Sequence, residues 1–229
     1  GTQMYVDEVN KAGGANGKKI KLLIFDDEGK AELAKEKAKE IVEETPAIAV
    51  VGHYFSGTSI ATKEIYDRAG MAALTATASV DELTQGNSSY FRLASSASVQ
   101  GSFLANYVKS VLQESTASVV YDSNSTFSSS MMQGFVNALV GLKGEIKYQW
   151  DTNDFGETTE EQYRGIIRQL LNNKNEDPGM IMVATRSQDA VGFIVSLRRK
   201  GLNYPLIGGD NLGGDDIPDL FNVYLEEEA

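Results

Sequence analysis

The chain has 229 residues, 41% hydrophobic and 23% charged, enough to bury a sizeable core in one or two domains. It holds no cysteine and one histidine, which excludes a disulfide scaffold, a thiolate nucleophile and any cysteine or multi-histidine metal site. A net charge of −11, with acidic residues spread throughout, argues against a nucleic-acid partner. No apolar run approaches the ~18–20 residues of a transmembrane helix.

Gly1 to Val6 shows neither the charged nor the apolar region of an export signal. Met4, Val6, Val9 and Ala12 form a helical stripe closed by Gly13-Gly14, so the chain is expected to open inside a helix. Lys19 to Phe25 reads as a strand ending in Asp26-Asp27, and Ala31 to Glu44 as an amphipathic helix with a solvated charged face. Ala47 to Val51 is a short buried strand, followed by the turn Gly52-His53-Tyr54-Phe55-Ser56 and a helix expected from Gly57 or Thr58. Met71 to Thr75 is another strand, leading into the small, hydroxyl-rich loop Ala76 to Val80. Tyr90 to Ala94 reads as a strand leaving this half, and the serine-rich link Ser95 to Ser98 restarts the pattern.

In the second half, helices are expected at Val99–Leu112, Ser129–Val140, Glu160–Leu171 and between Gln188 and Arg199. Strands are expected at Ala117–Tyr121, Glu145–Trp150 and Gly179–Ala184, and Pro205–Gly208 closes the legible order. Alternating strands and helices predict α/β architecture, with parallel sheets carrying helices on both faces, in two lobes over residues 1–96 and 97–229.

In such sheets ligands bind at the carboxyl ends of strands, which directs attention to Asp26, Ser56, Thr77, Ser79, Asp122, Trp150, Arg186 and Asp210. Ser56 sits at the mouth of a strand–turn–helix unit. There it can act as a helix cap, or as a hydroxyl that holds a small anion beside the helix N–H groups. Asp122 to Thr126 imitates the start of a calcium loop, but Phe127 and Gln133 occupy the places that need glycine and glutamate. Asp151 to Gln162 fails at Phe155 and Gln162. His53 and Ser56 lie three residues apart across a turn, with no Gly-x-Ser-x-Gly elbow, so a structural histidine is expected in place of a catalytic pair. No phosphate-binding loop is present, and the sequons at Asn87 and Asn124 matter only in a eukaryotic secretory setting.

The stretches Asn10 to Ile20, Gly52 to Ser56, Glu82-Leu83-Thr84 and Gly208-Gly209-Asp210 resemble the type I periplasmic solute-binding proteins. The similarity is to the branched-chain amino-acid-binding (leucine/isoleucine/valine-type) group and covers nearly the whole chain. It implies two lobes closing over a small ligand, with an α-carboxylate held by Ser56, Thr77 and Ser79 and an α-ammonium held by Asp210. Phe127 matches the place of a tyrosine and retains only its ring. Arg186 matches a position that is often aromatic or small, where an arginine is either solvated or extends the ligand range toward a polar or acidic side chain. Trp150 is expected to be structural, with a cleft wall as the other reading.

The resemblance further implies a non-enzymatic, periplasmic or extracellular binding protein for an amino acid or similar zwitterion, without cofactor or metal, serving the membrane permease of an ABC importer. The rivals are a sensing domain fused to a membrane receptor or signalling module and, more distantly, a serine hydrolase using Ser56. It also implies a first strand ahead of Gly1 and a return segment beyond Ala229, so the chain is expected to be a piece of a longer protein.

Overall fold

The computed structural model describes residues 1–173 and 175–226. Two separate parallel sheets organise it. The first contains β1 (Ala49–Val51), β2 (Ala72–Thr75) and β3 (Tyr90–Arg92), in that spatial order. The second runs in the order β5 (Glu145–Asp151), β4 (Thr116–Tyr121), β6 (Met180–Val183), β7 (Leu206–Ile207). Each link between parallel neighbours needs a crossover, and helices supply most of them: α3 (Ser56–Ala69) joins β1 to β2. Around the second sheet stand α4 (Ala97–Ser110), α5 (Thr126–Gly141), α6 (Thr159–Asn172) and α7 (Ser187–Arg199).

The second sheet is buried on both faces, and the alternation of its side chains shows how. Ala117, Val119, Met180 and Met182 point into one core, filled by Leu104 and Val108 of α4 and Met131, Phe135 and Leu139 of α5. Val120, Ile181 and Val183 point into the other, with Ile166, Ile167 and Leu170 of α6 and Phe193 and Leu197 of α7. Trp150 belongs to this second core: its indole N–H donates to Gln169 Oε1 at 2.9 Å and its ring stacks on Tyr148. Its role is structural, as expected.

The first sheet departs from the expected pattern. α2 (Ala31–Glu44) and α3 cover one face through Ala38, Ile60, Ile65 and Tyr66. On the other face Val51 and Phe91 remain 61% and 53% exposed, so helices on both faces are found only around the second sheet among the described residues. Residues 19–25 also differ, since they join no ladder. A strand exists through its neighbour. Here the side chain of Asn10, from α1 (Thr2–Lys11), takes both backbone groups of Ile20, at 2.8 and 2.7 Å, and Ile24 stays 82% exposed. A further helix beyond the expected order, α8 (Ile217–Glu226), packs on α7. Its apolar residues Ile217, Leu220 and Phe221 already carry helical spacing.

Candidate functional site

The turn after β1 is built around a satisfied histidine. His53 Nδ1 lies 2.6 Å from Asp27 Oδ2 and Nε2 lies 2.9 Å from the Tyr66 hydroxyl. Its backbone N–H donates to the Tyr90 hydroxyl, and its carbonyl accepts from Thr75 and Ser59. Burial, with Tyr90 and Asp27 adding to it, pushes the Tyr66 hydroxyl well above the ordinary tyrosine range, so it stays neutral and can bond either way. Both imidazole nitrogens are engaged away from Ser56. The geometry therefore contains no nucleophile–base pair.

Ser56 is the first residue of α3, and Phe55 holds the N-cap position without a side-chain cap bond. The capping role is thus unfilled, and the first-turn N–H groups are open at the weakly positive end of a 14-residue helix. Ser56 Oγ accepts instead from the Ser79 N–H at 3.2 Å. Thr75 Oγ1 accepts from the N–H groups of Thr77 and Ala78, and Thr77 Oγ1 donates to the Tyr54 carbonyl at 2.6 Å. These bonds stitch the loop after β2 to the turn after β1. Ser56 and Ser79 are 7% and 1% exposed, and Ser79 Oγ is buried with no hydrogen-bond partner. A buried hydroxyl left unsatisfied costs roughly 1–3 kcal/mol.

The second half reaches this point through two strand ends. Arg186 is the N-cap residue of α7, and its guanidinium carbon lies 4.9 Å from the centroid of the Phe55 ring. Asp210 opens a short 3-10 turn, Asp210–Leu212. The neighbouring Asn211 donates from Nδ2 to the carbonyls of Val183 and Thr185, at 3.0 and 2.9 Å, fixing this turn to the end of β6. Gln100, in the first turns of α4, donates to Asp210 Oδ2 at 2.9 Å and to the Ser95 carbonyl at 3.2 Å. Its own Oε1 accepts from the Asp210 N–H.

Among the residues expected from the sequence, Ser56 and Ser79 are in direct contact, and Thr77 joins them through Tyr54. Arg186 meets the residue beside Ser56, and Asp210 is set through Gln100. Phe127, in the first turn of α5, stands apart. It packs against the core under α4 and α5, and no hydrogen bond or ring contact ties it to the others. Phe55 and Gln100 were not expected. Phe55 lies in the quoted turn, and its adjacency to Ser56 was the available signal. No sequence signal links Gln100 to a residue 110 positions away.

The Ser95–Ser98 crossing is held at both ends. The Ala97 N–H donates to the Ser79 carbonyl at 2.7 Å, and Ser98 Oγ donates to Asp81 at 2.8 Å. Burial pushes the Asp81 carboxyl up, but hydrogen bonds from Ser96 and Ser98 and the charge of Arg92 outweigh it, leaving it below the usual value of 3.8. A lowered folded value means stabilisation that is complete above the unfolded value and lost as pH falls through the folded one. Asp81→Asn is expected to be less stable than the parent at neutral pH, with the gap closing below pH 3.8. Urea unfolding across that range measures it.

The turn Asp122–Thr126 is an internal hydrogen-bonded turn. Asp122 Oδ1 accepts from the Asn124 N–H and from Asn153, and no metal-holding cluster occurs among the described residues.

A family profile described as periplasmic binding protein matches residues 1–220. The chain belongs to the periplasmic binding protein family. Its two parallel sheets flanked by helices are the two-lobed type I form of that fold. An amino acid binding protein of Pseudomonas aeruginosa is 35% identical over 224 residues, which cover 95% of this chain and 56% of that protein. The branched-chain amino acid transporter substrate binding protein LivJ from Streptococcus pneumoniae, solved in complex with isoleucine, superposes with a TM-score of 0.81 at 26% identity. That match covers 96% of this chain and 60% of LivJ. The leucine binding protein LivK from Thermotoga maritima matches in fold, with a TM-score of 0.80 at 17% identity over 94% of this chain. This periplasmic binding protein chain therefore spans between half and two thirds of the length of these three relatives.

Proposed function

We propose that the protein captures an amino acid or similar small zwitterion between its lobes, outside the cytoplasm, and delivers it to the membrane permease of an ABC importer. Residues 1–96 form the carboxylate-gripping lobe and residues 97–229 the ammonium-gripping lobe, with Ser56, Thr77 and Ser79 on one side and Asp210 and Arg186 on the other. The observation that carries this reading is Ser79 Oγ, buried without a partner beside Ser56 Oγ and the open end of α3. A carboxylate accepting from that hydroxyl supplies the missing bond. An ammonium facing Asp210 completes a ligand whose two ends are held by different lobes, so only a molecule carrying both favours closure. The names of the relatives, an amino acid binding protein and a protein solved with isoleucine, support the same class.

A thermal-shift screen of the twenty amino acids on the complete protein tests this function. A ligand at ~100 times its Kd adds about 2.7 kcal/mol of stability, and no shift with any amino acid overturns the reading. Gln100→Ala is expected to weaken binding of whichever amino acid is found by about 1 kcal/mol, roughly fivefold, because Asp210 loses the side chain that orients it. Titration calorimetry reads this loss, and Gln100→Asn, too short to reach both groups, should not restore affinity.

A further inference from the structure

We propose that Arg186 makes this site selective for an amino acid with an acidic side chain by binding the second carboxylate. The proposal rests on the amino-acid reading above. Arg186 follows β6 and Asp210 follows β7, two neighbouring parallel strands paired at Met182 and Ile207. Asn211 bonds the carbonyl of Thr185, so the residues next to Arg186 and Asp210 are joined by one amide.

From that base the Arg186 side chain reaches across to the other lobe and lies over Phe55, the residue before Ser56. A guanidinium stacked on a ring keeps its N–H edges free, and a planar fork of donors matches a carboxylate bidentately. No guanidinium N–H of Arg186 donates to another described residue, and no carboxylate of a described residue is within ion-pair distance of it. The acid next to it on α7 is Asp189. Burial pushes its carboxyl up, Arg186 pulls it down and Asp122 pushes it up again, with a net rise above the usual value.

The residues assigned to the site thus offer a hydroxyl and helix-end pair for one carboxylate, Asp210 for an ammonium, and in Arg186 a guanidinium whose N–H groups donate to no described residue. These three charges match those of aspartate and glutamate. A branched aliphatic side chain would instead desolvate the guanidinium with nothing to pair it.

Titration calorimetry of the complete protein with L-glutamate, L-aspartate, L-glutamine and L-leucine tests the proposal. One of the two acids is expected to bind at least about tenfold tighter than L-glutamine and L-leucine. Arg186→Gln should remove that advantage, lowering the affinity for the preferred acid at least about tenfold more than it lowers the affinity for L-glutamine. L-leucine binding tighter than both acids overturns the proposal and leaves the amino-acid reading standing. So does an acid-to-amide ratio that Arg186→Gln leaves unchanged. Absence of binding by every amino acid overturns both. The parent protein's acid-to-leucine ratio decides the matter even if the variant fails to fold.

Discussion

Asp210→Asn is expected to lower the affinity for a bound amino acid by about 30- to several-thousand-fold, equivalent to roughly 2–5 kcal/mol. The substitution preserves shape and the bond from Gln100, since the remaining amide oxygen still accepts. It deletes the charge that faces an ammonium once the lobes close and water leaves. Asp210 is exposed, so replacing it with the isosteric amide should barely change unfolding stability. Ser56→Ala removes one hydrogen bond to a carboxylate, roughly 1.5–3 kcal/mol, and should cost less affinity. Calorimetric titration of both variants, with melting curves beside it, gives the order. An Asp210→Asn protein that binds within threefold of its parent would refute the zwitterion model.

The second large effect is on folding. α4 and α5 cross so closely that a Cβ on Gly134 would stand 2.1 Å from the Ser98 carbonyl oxygen, and one on Gly101 would stand 2.1 Å from the Met131 carbonyl oxygen. These obstacles are backbone atoms, so no side-chain rotation relieves them and the helices must separate. Separation would open the core beneath, where Met131, Phe135 and Leu139 are fully buried. Overpacking typically costs about 1–3 kcal/mol, occasionally more, and Gly134→Ala should reach the upper end of that range. The Gly101→Ala, Gly134→Ala double variant should lose less than the sum, because one displacement of the helices accommodates both methyl groups. Urea unfolding of the three proteins measures this. Strict additivity would show that the two contacts relax separately.

The elements legible in the sequence were those whose pattern is local. α2 is bounded correctly by its own amphipathic spacing, and β4 and β6 to within one residue by continuous apolar runs that a doubly covered sheet requires. Residues 19–25 carry a strand's composition, yet strand structure depends on a neighbour, and Asn10 occupies the backbone groups a neighbour would use. The site divides in the same way. Ser56 and Ser79 follow from strand–loop–helix order alone, since each sits just past a strand end. The bond between Gln100 and Asp210 and the contact of Arg186 with Phe55 arise from how two distant parts of the chain come together. Periodicity carries no record of such pairings.

The first turns of α4 receive the Ser79 carbonyl at Ala97, Asp81 at Ser98 and Asp210 at Gln100. If the proposed site is right, a rearrangement near Ser79 or near Asp210 would be passed to one rod. Phe103 lies one turn further along the same helix, 67% exposed and clear of all three contacts. The chain contains no cysteine, so Phe103→Cys would accept a single thiol-reactive dye. That conjugate would turn occupancy into an optical signal, which makes α4 the natural place to build a reagentless sensor from this scaffold.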